Sequence, residues 1–254
     1  MVERLEGTVA LVTGASSGIG EATALALANE GATVALAARR TDRLKSLAGQ
    51  IRGLGRNVLT LRADVTDERQ ARDAVERTVV ELGRLDTLVN SAGVMLLGPV
   101  VGAAVEEWRR MVEVNLLGLL YCSHAALPHL LRAAEESPRG VADLVNMSSL
   151  AGRVARSGSG VYNATKHGVG AFSEALRQEV TGRHVRVSLV EPGAVETELA
   201  DHNRPEVLER IKERFAGVEL LQAEDIADAI TYIVTRPHHV AVNELLIRST
   251  EQEG

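Results

Sequence analysis

Seven short aliphatic runs, at 8–13, 33–38, 57–62, 85–90, 141–147, 185–191 and 245–248, alternate with six longer segments of helical periodicity, at 19–30, 41–54, 68–82, 105–132, 159–181 and 223–234. That order is the tightest constraint on the chain. Strand–helix–strand repeats close through right-handed crossovers, giving a parallel sheet with helices on both faces. Runs such as Val-Ala-Leu-Val at 9–12 are apolar toward both faces, as strands covered on two sides must be. Aromatic residues make up only 2% of the 254, so the core has to be aliphatic, which suits such a sheet.

The first run leads straight into Thr13-Gly14-Ala15-Ser16-Ser17-Gly18-Ile19-Gly20 at the start of a helix. Gly14 permits a tight turn, Gly18 lets backbone approach a diphosphate, and Gly20 lets helix and strand pack closely. Amides at the helix start, including those of Ser16, Ser17 and Ile19, then face the anion. The expected architecture is therefore α/β: a single-domain Rossmann fold, doubly wound, with a seven-stranded parallel sheet over residues 1–254. The second run ends Ala38-Arg39-Arg40, with alanine where a site for NAD would carry an acid on the ribose diol. A guanidinium fork fits a 2′-phosphate, so the expected cofactor is NADP(H), held chiefly by Arg39 with help from Ser16 and Arg40. Asp64-Val65 follows the third run, placed to flank an adenine ring. Asn90-Ser91-Ala92-Gly93 ends the fourth, where small residues let a nucleotide lie on the backbone.

Tyr162 and Lys166 stand one helical turn apart and share a face. A free phenol has a pKa of about 10, and a neighbouring cation favours its ionised form. Lowering that value by roughly three units takes about 4 kcal/mol, the scale of one ammonium at ~4 Å in a medium of dielectric ~20.

These motifs, in this order, resemble the classical short-chain dehydrogenase/reductase family along essentially the whole chain. The family's glycine motif matches Thr13 to Gly20. Its N-N-A-G motif matches Asn90, Ala92 and Gly93, with Ser91 in place of the second asparagine. The resemblance implies a catalytic set of Asn115, Ser149 (thirteen residues before Tyr162, preferred over Ser148), Tyr162 and Lys166. It also implies that Pro192, Gly193, Val195 and Thr197 hold the nicotinamide amide, and that Tyr162 and Lys166 touch the cofactor. Within the family the flavour is that of the clavulanic acid dehydrogenase subgroup, NADP(H)-using aldehyde reductases, through Ala-Ala-Arg-Arg, Met-Leu-Leu-Gly-Pro-Val and the tail Asn-Glu-Leu-Leu-Ile-Arg. It implies a carbonyl or alcohol substrate and a homotetramer or homodimer. A 3-oxoacyl-(acyl carrier protein) reductase and a non-catalytic NADP(H) sensor are the alternatives.

The rest of the sequence narrows the partners. A formal charge of -6 with no basic run argues against nucleic acid. The start is acidic and lacks the apolar core of a secretory signal, and no apolar run looks long enough to span a bilayer, so a cytoplasmic protein is expected. Cys122, in Leu-Leu-Tyr-Cys, reads as a buried inert thiol. His238 and His239 are adjacent, and His124 with His129 lacks metal-pair spacing, so no metal is expected. Trp108 reads as a helix packing residue, 135–140 as an exposed turn, and the polar stretch 196–221 as a substrate lid after the sixth strand.

Overall fold

The computed structural model describes residues 4–252. In chain order the elements are β1 (Val9–Thr13), α1 (Gly18–Asn29), β2 (Thr33–Ala38), α2 (Thr41–Gly53), β3 (Val58–Arg62), α3 (Glu68–Leu82), β4 (Thr87–Asn90), α4 (Val105–Val112), α5 (Gly118–Glu136), β5 (Ala142–Met147), α6 (Gly160–Val180), β6 (Val185–Pro192), α7 (Pro205–Arg214), α8 (Ala223–Val234) and β7 (Glu244–Ile247). The strands form one seven-stranded sheet in the order β3-β2-β1-β4-β5-β6-β7, with every neighbouring pair parallel. The order reverses between β1 and β4. That opens a crevice at the carboxyl ends of the strands, where sheets of this kind bind ligands.

Alternation along the strands sorts the core into two layers. Ala10, Val12, Val34 and Leu36 point to the face covered by α1, α2 and α8, meeting Leu27, Leu44 and Ile230. Leu11, Ala35 and Ala37 point to the other face, meeting Ala71 and Val75 of α3, Cys122 and Leu130 of α5 and Leu176 of α6. Cys122 is buried there, and burial pushes its thiol up to about 12, so it is inert at neutral pH.

The helix expected at 105–132 is not one α-helix. Residues Glu113–Leu117 form a π-helical turn between α4 and α5. The extra residue in that turn aims Asn115 at the loop after β4, where its amide donates to Val94 O and accepts from Val94 N, both at 2.8 Å. Periodicity alone does not announce such an insertion, because its stabilising bonds lie outside the helix. Two other expectations are corrected. By length and composition the stretch Val105–Glu136 does suffice to cross a membrane; in the fold, its α5 part lies under the sheet against α3. The turn at 135–140 is only partly exposed: Ser137 is buried, and Arg139 reaches back to Asp143 and to the Val234 carbonyl.

One buried ion pair clamps β5 to β6 at their amino ends, away from the crevice. Arg186 and Asp143 are cross-strand neighbours, 5% and 1% exposed, joined by Nε–Oδ1 at 2.7 Å and Nη2–Oδ2 at 3.0 Å. The same guanidinium donates to the carbonyls of Val234, Arg236 and Val240 beyond α8. Removing one partner of such a pair leaves a buried charge exposed to no water. Arg186→Met is therefore expected to lose about 3 kcal/mol of stability, read as a lower urea midpoint at unchanged slope.

Candidate active site

The crevice is lined from four directions. On the β1 side, Gly14 has φ +67°, and a Cβ there would sit 2.7 Å from Ala92 Cα. A Cβ on Gly20 would lie 2.5 Å from Gly14 O. The loop thus doubles back so closely that only glycine fits, and it leaves a cradle at the start of α1. Ser17, the residue before that helix, makes no side-chain cap bond, which leaves the first-turn amides facing outward for an anion. This is the shape a dinucleotide diphosphate needs. Ser16 is buried, and Ile19 packs onto the core beneath the loop.

The loop after β4 is fixed from below. Thr13 Oγ1 accepts from the amides of Ser91 and Ala92 at 3.2 and 3.3 Å. Asn90 does not face the crevice with its side chain. Its amide donates to Ser123 at 3.0 Å and to Asn146 at 2.9 Å, pinning β4 to α5 and β5. Gly93 lies 3.6 Å, measured from its would-be Cβ, from Asn115 Oδ1. Asp64 accepts from both the amide and hydroxyl of Thr66, and Val65 packs on Gly118 at the start of α5.

The two arginines after β2 are placed differently from one another. Arg39 is largely exposed, with Nη1 3.9 Å from Asp64 Oδ2. Arg40 lies across the glycine loop: Nε donates to Ser16 Oγ at 3.2 Å and Nη2 to Ser17 Oγ at 2.6 Å. Its third nitrogen, Nη1, donates to Glu198 at 2.8 Å. On the β6 side, Pro192 O accepts a 3.4 Å bond from Ser149, and Val195 bridges in parallel to Leu221, closing the base of the 196–221 segment. Thr197 rests its methyl over Gly18. That segment carries a short 3-10 turn, Ala200–His202, and α7.

The remaining wall is α6. Tyr162 and Lys166 are 6% and 5% exposed on its inner face. Ser149, which opens a 3-10 turn by accepting from Ala151 N at 3.1 Å and donates to Pro192 O at 3.4 Å, lies beside the Tyr162 phenol. Burial pushes that phenol up to about 12, with Ser149 pulling the other way. Lys166 Nζ donates to Met147 O at 2.8 Å and lies 5.9 Å from the centre of the Tyr162 ring. Burial pushes it down to about 8. Asn115 joins the group through Thr165, whose hydroxyl lies 3.4 Å from the amide nitrogen and bonds Tyr162 O at 2.8 Å.

Residues 8–208 match the family described as short chain dehydrogenase. The chain belongs to that family. Over 249 residues, 98% of its length, it is 42% identical to part of glycine betaine reductase ATRR from Emericella nidulans, and it spans only 19% of that relative. An uncharacterised oxidoreductase of Staphylococcus saprophyticus is 34% identical over 255 residues, 99% of each chain. The closed form of a serine dehydrogenase complexed with NADP+ superposes with a TM-score of 0.88 at 30% identity, covering 97% of both chains. Other solved structures similar to this chain hold NADP or NAD. The seven-stranded parallel sheet is thus that of the short-chain oxidoreductases.

Several contributors were not singled out by sequence reasoning. Thr165 had no distinguishing signal beyond lying inside the Tyr-to-Lys turn. Met147 acts through its carbonyl, which no side-chain pattern reports. Glu198 meets Arg40 from 158 positions away. Trp108, expected as packing, does pack, but beside Val94, Met111 and Tyr162 at the mouth of the site.

The lysine makes a measurable signature. Its native value of about 8 lies below the ordinary lysine value of about 10.4, so between the two the unfolded chain binds more protons. The native state carries the cost of a buried charge below about pH 8 and loses that cost as pH rises. Lys166→Met, with no dinucleotide added, is expected to be more stable than the parent by about 1–3 kcal/mol at pH 7. The gap should close toward pH 10 in urea titrations across that range.

Proposed function

We propose that the protein transfers a hydride reversibly between NADP(H) and an aldehyde or ketone, interconverting the carbonyl compound and its alcohol. One observation carries this reading: a buried phenol lies beside Ser149 and shares a helix face with Lys166, and Asn115 and Thr13 tie that helix through the loop after β4 to the strand that ends in the glycine cradle. A protein that only sensed a dinucleotide would need the cradle and not the proton donor. The phosphate preference rests on Arg39 and Arg40 at the end of β2, with Ala38 in the place of an acid.

Bound NADP(H) supplies the hydride; the chain supplies placement and field. Gly14, Ser16, Ser17, Gly18 and Ile19 would hold the diphosphate, Asp64 and Val65 would flank the adenine, and Pro192, Gly193, Val195 and Thr197 would face the carboxamide. As negative charge grows on the carbonyl oxygen, Ser149 donates to it, which favours the transition state over the ground state. Tyr162 gives its proton to that oxygen and takes one back in the reverse direction. A phenol raised by burial is protonated at neutral pH and ready to donate. Lys166 supplies the positive field that makes the phenolate tolerable and would hold the nicotinamide ribose. Asn115 fixes the loop after β4 and steadies a water that passes protons to Lys166.

The likeness of part of glycine betaine reductase ATRR to this chain supports a reductase of small polar carbonyl compounds, in line with the clavulanic acid dehydrogenase subgroup and a role in secondary metabolism. We extend the reading to a cytoplasmic homotetramer or homodimer. Leu116, Leu120 and Phe172, from the turn before α5, α5 itself and α6, are only half-buried within one chain, and a two-fold axis pairing those helices would cover them.

Tyr162→Phe is expected to bind NADPH as the parent does, by fluorescence titration, while turnover falls by at least about 100-fold; retained turnover would refute the assignment. Across a panel of aldehydes, ketones and a 3-oxoacyl thioester, NADPH should be oxidised in preference to NADH. Reduction should hold its rate to about pH 8 and then fall as Lys166 loses its charge, whereas alcohol oxidation should rise with pH as phenolate accumulates.

A further inference from the structure

The segment that follows β6 begins by gripping the arginines that face the dinucleotide cradle. Glu198 Oε2 accepts from Arg40 Nη1 at 2.8 Å, and Oε1 accepts from Arg43 Nη2 at 3.3 Å. Arg40 is at the same time seated on Ser16 and Ser17 of the glycine loop. A carboxylate bridging two guanidiniums beside this loop presents the chemistry of a phosphate monoester: two anionic acceptor oxygens to a planar donor fork. The guanidinium of Arg40 and the Ser17 hydroxyl hold the Glu198 carboxyl below its usual range, so it is ionised throughout the neutral region.

Charge balance makes the arrangement exclusive. Arg39 is matched by Asp64, and Arg40 and Arg43 are matched by Glu198, with Glu21 close enough to feel Arg43, Glu198 and Arg40. A dianionic phosphate entering this group while Glu198 stays would place like charges a few ångströms apart, which is unfavourable. One of the two anions has to leave.

We propose that Glu198 sets the dinucleotide preference of this chain: its carboxylate competes with a 2′-phosphate for Arg40 and Arg43, so that binding of the phosphorylated dinucleotide unlatches the start of the 196–221 segment. The inference rests on the NADP(H) reading of the same site. Glu198 follows Thr197, which lies over Gly18. Displacing the carboxylate therefore moves the chain that closes over the cradle. A ligand without the 2′-phosphate has nothing to exchange for the carboxylate and leaves the latch shut.

Two fragments isolate the phosphate: adenosine 2′,5′-bisphosphate carries it, and adenosine 5′-monophosphate does not. Calorimetric titration of both into the native protein, Glu198→Gln and the double variant Arg40→Gln/Glu198→Gln, with Arg40→Gln as its reference, is the test. Glu198→Gln should bind the bisphosphate about fivefold tighter, the scale of a half-exposed ion pair, with the monophosphate unchanged. That gain should vanish in the Arg40→Gln background. In the native protein the bisphosphate, and not the monophosphate, should speed amide exchange at 198–202. An unchanged bisphosphate affinity in Glu198→Gln, an equal gain for both fragments, or a gain that survives loss of Arg40 would overturn the proposal. The two readings fail separately. Native protein that prefers the monophosphate, with the Glu198→Gln gain intact, sinks the NADP(H) assignment alone. Native protein that prefers the bisphosphate, with no gain, sinks the latch alone. Absence of binding by either fragment to any form sinks both.

Discussion

A positive charge held inside the protein organises everything around it. Lys166 is 5% exposed and has, among the described residues, a single hydrogen-bond acceptor for its ammonium, the carbonyl of Met147 at the end of β5. Burying an ammonium against one carbonyl is unfavourable at neutral pH, as its lowered pKa records. The cost is borne because α6 has no freedom to withdraw it. Leu176 and Val180 on the same helix are locked in the core beneath the sheet, and Ser148 bonds the Lys166 carbonyl from the strand end. The price of that placement is a stored electrostatic potential, available to any group that ionises nearby. Tyr162 is the group that shares its helix face.

The topology decides what else can reach that potential. Reversal of strand order between β1 and β4 parts the connecting segments, so the glycine loop lies on one side and the loop after β4 on the other. Thr13 links them by accepting two amides from the far loop. Asn115 links the far loop to α6 through Val94 and Thr165. The glycine loop's strand, the loop after β4 and α6 are therefore one hydrogen-bonded assembly. The Arg186–Asp143 pair ties β5 to β6 near their amino ends, at the far end of the strands from the crevice.

Much of this was legible in residue order alone. The alternation of apolar runs and helical segments fixes a doubly wound sheet, and strand limits agree within about two residues, the ordinary uncertainty of element ends. Gly14 and Gly20 read correctly because no other residue survives the close approach they permit. Tyr162 and Lys166 share the buried face of α6, as their spacing predicts, because helical spacing is local. What was hidden is what depends on distant partners. The π turn at Glu113–Leu117 exists because Asn115 finds Val94, 21 positions away. Asn90 sits in a nucleotide-facing motif and yet turns its amide inward, since Ser123 and Asn146 wait there. Arg40, not Arg39, covers the loop, because Ser17 and Glu198 together outcompete solvent for it.

The short bridge between Val195 and Leu221, reinforced by Glu196 N to Leu221 O at 2.8 Å, brings the two ends of a 25-residue excursion side by side. A detour whose feet are already pinned together costs little more when it grows and little less when it shrinks. Its interior is therefore free to drift by insertion and deletion without disturbing the strands it leaves and rejoins. The length of that stretch and the pairing of the strands beneath it are thus set independently of one another.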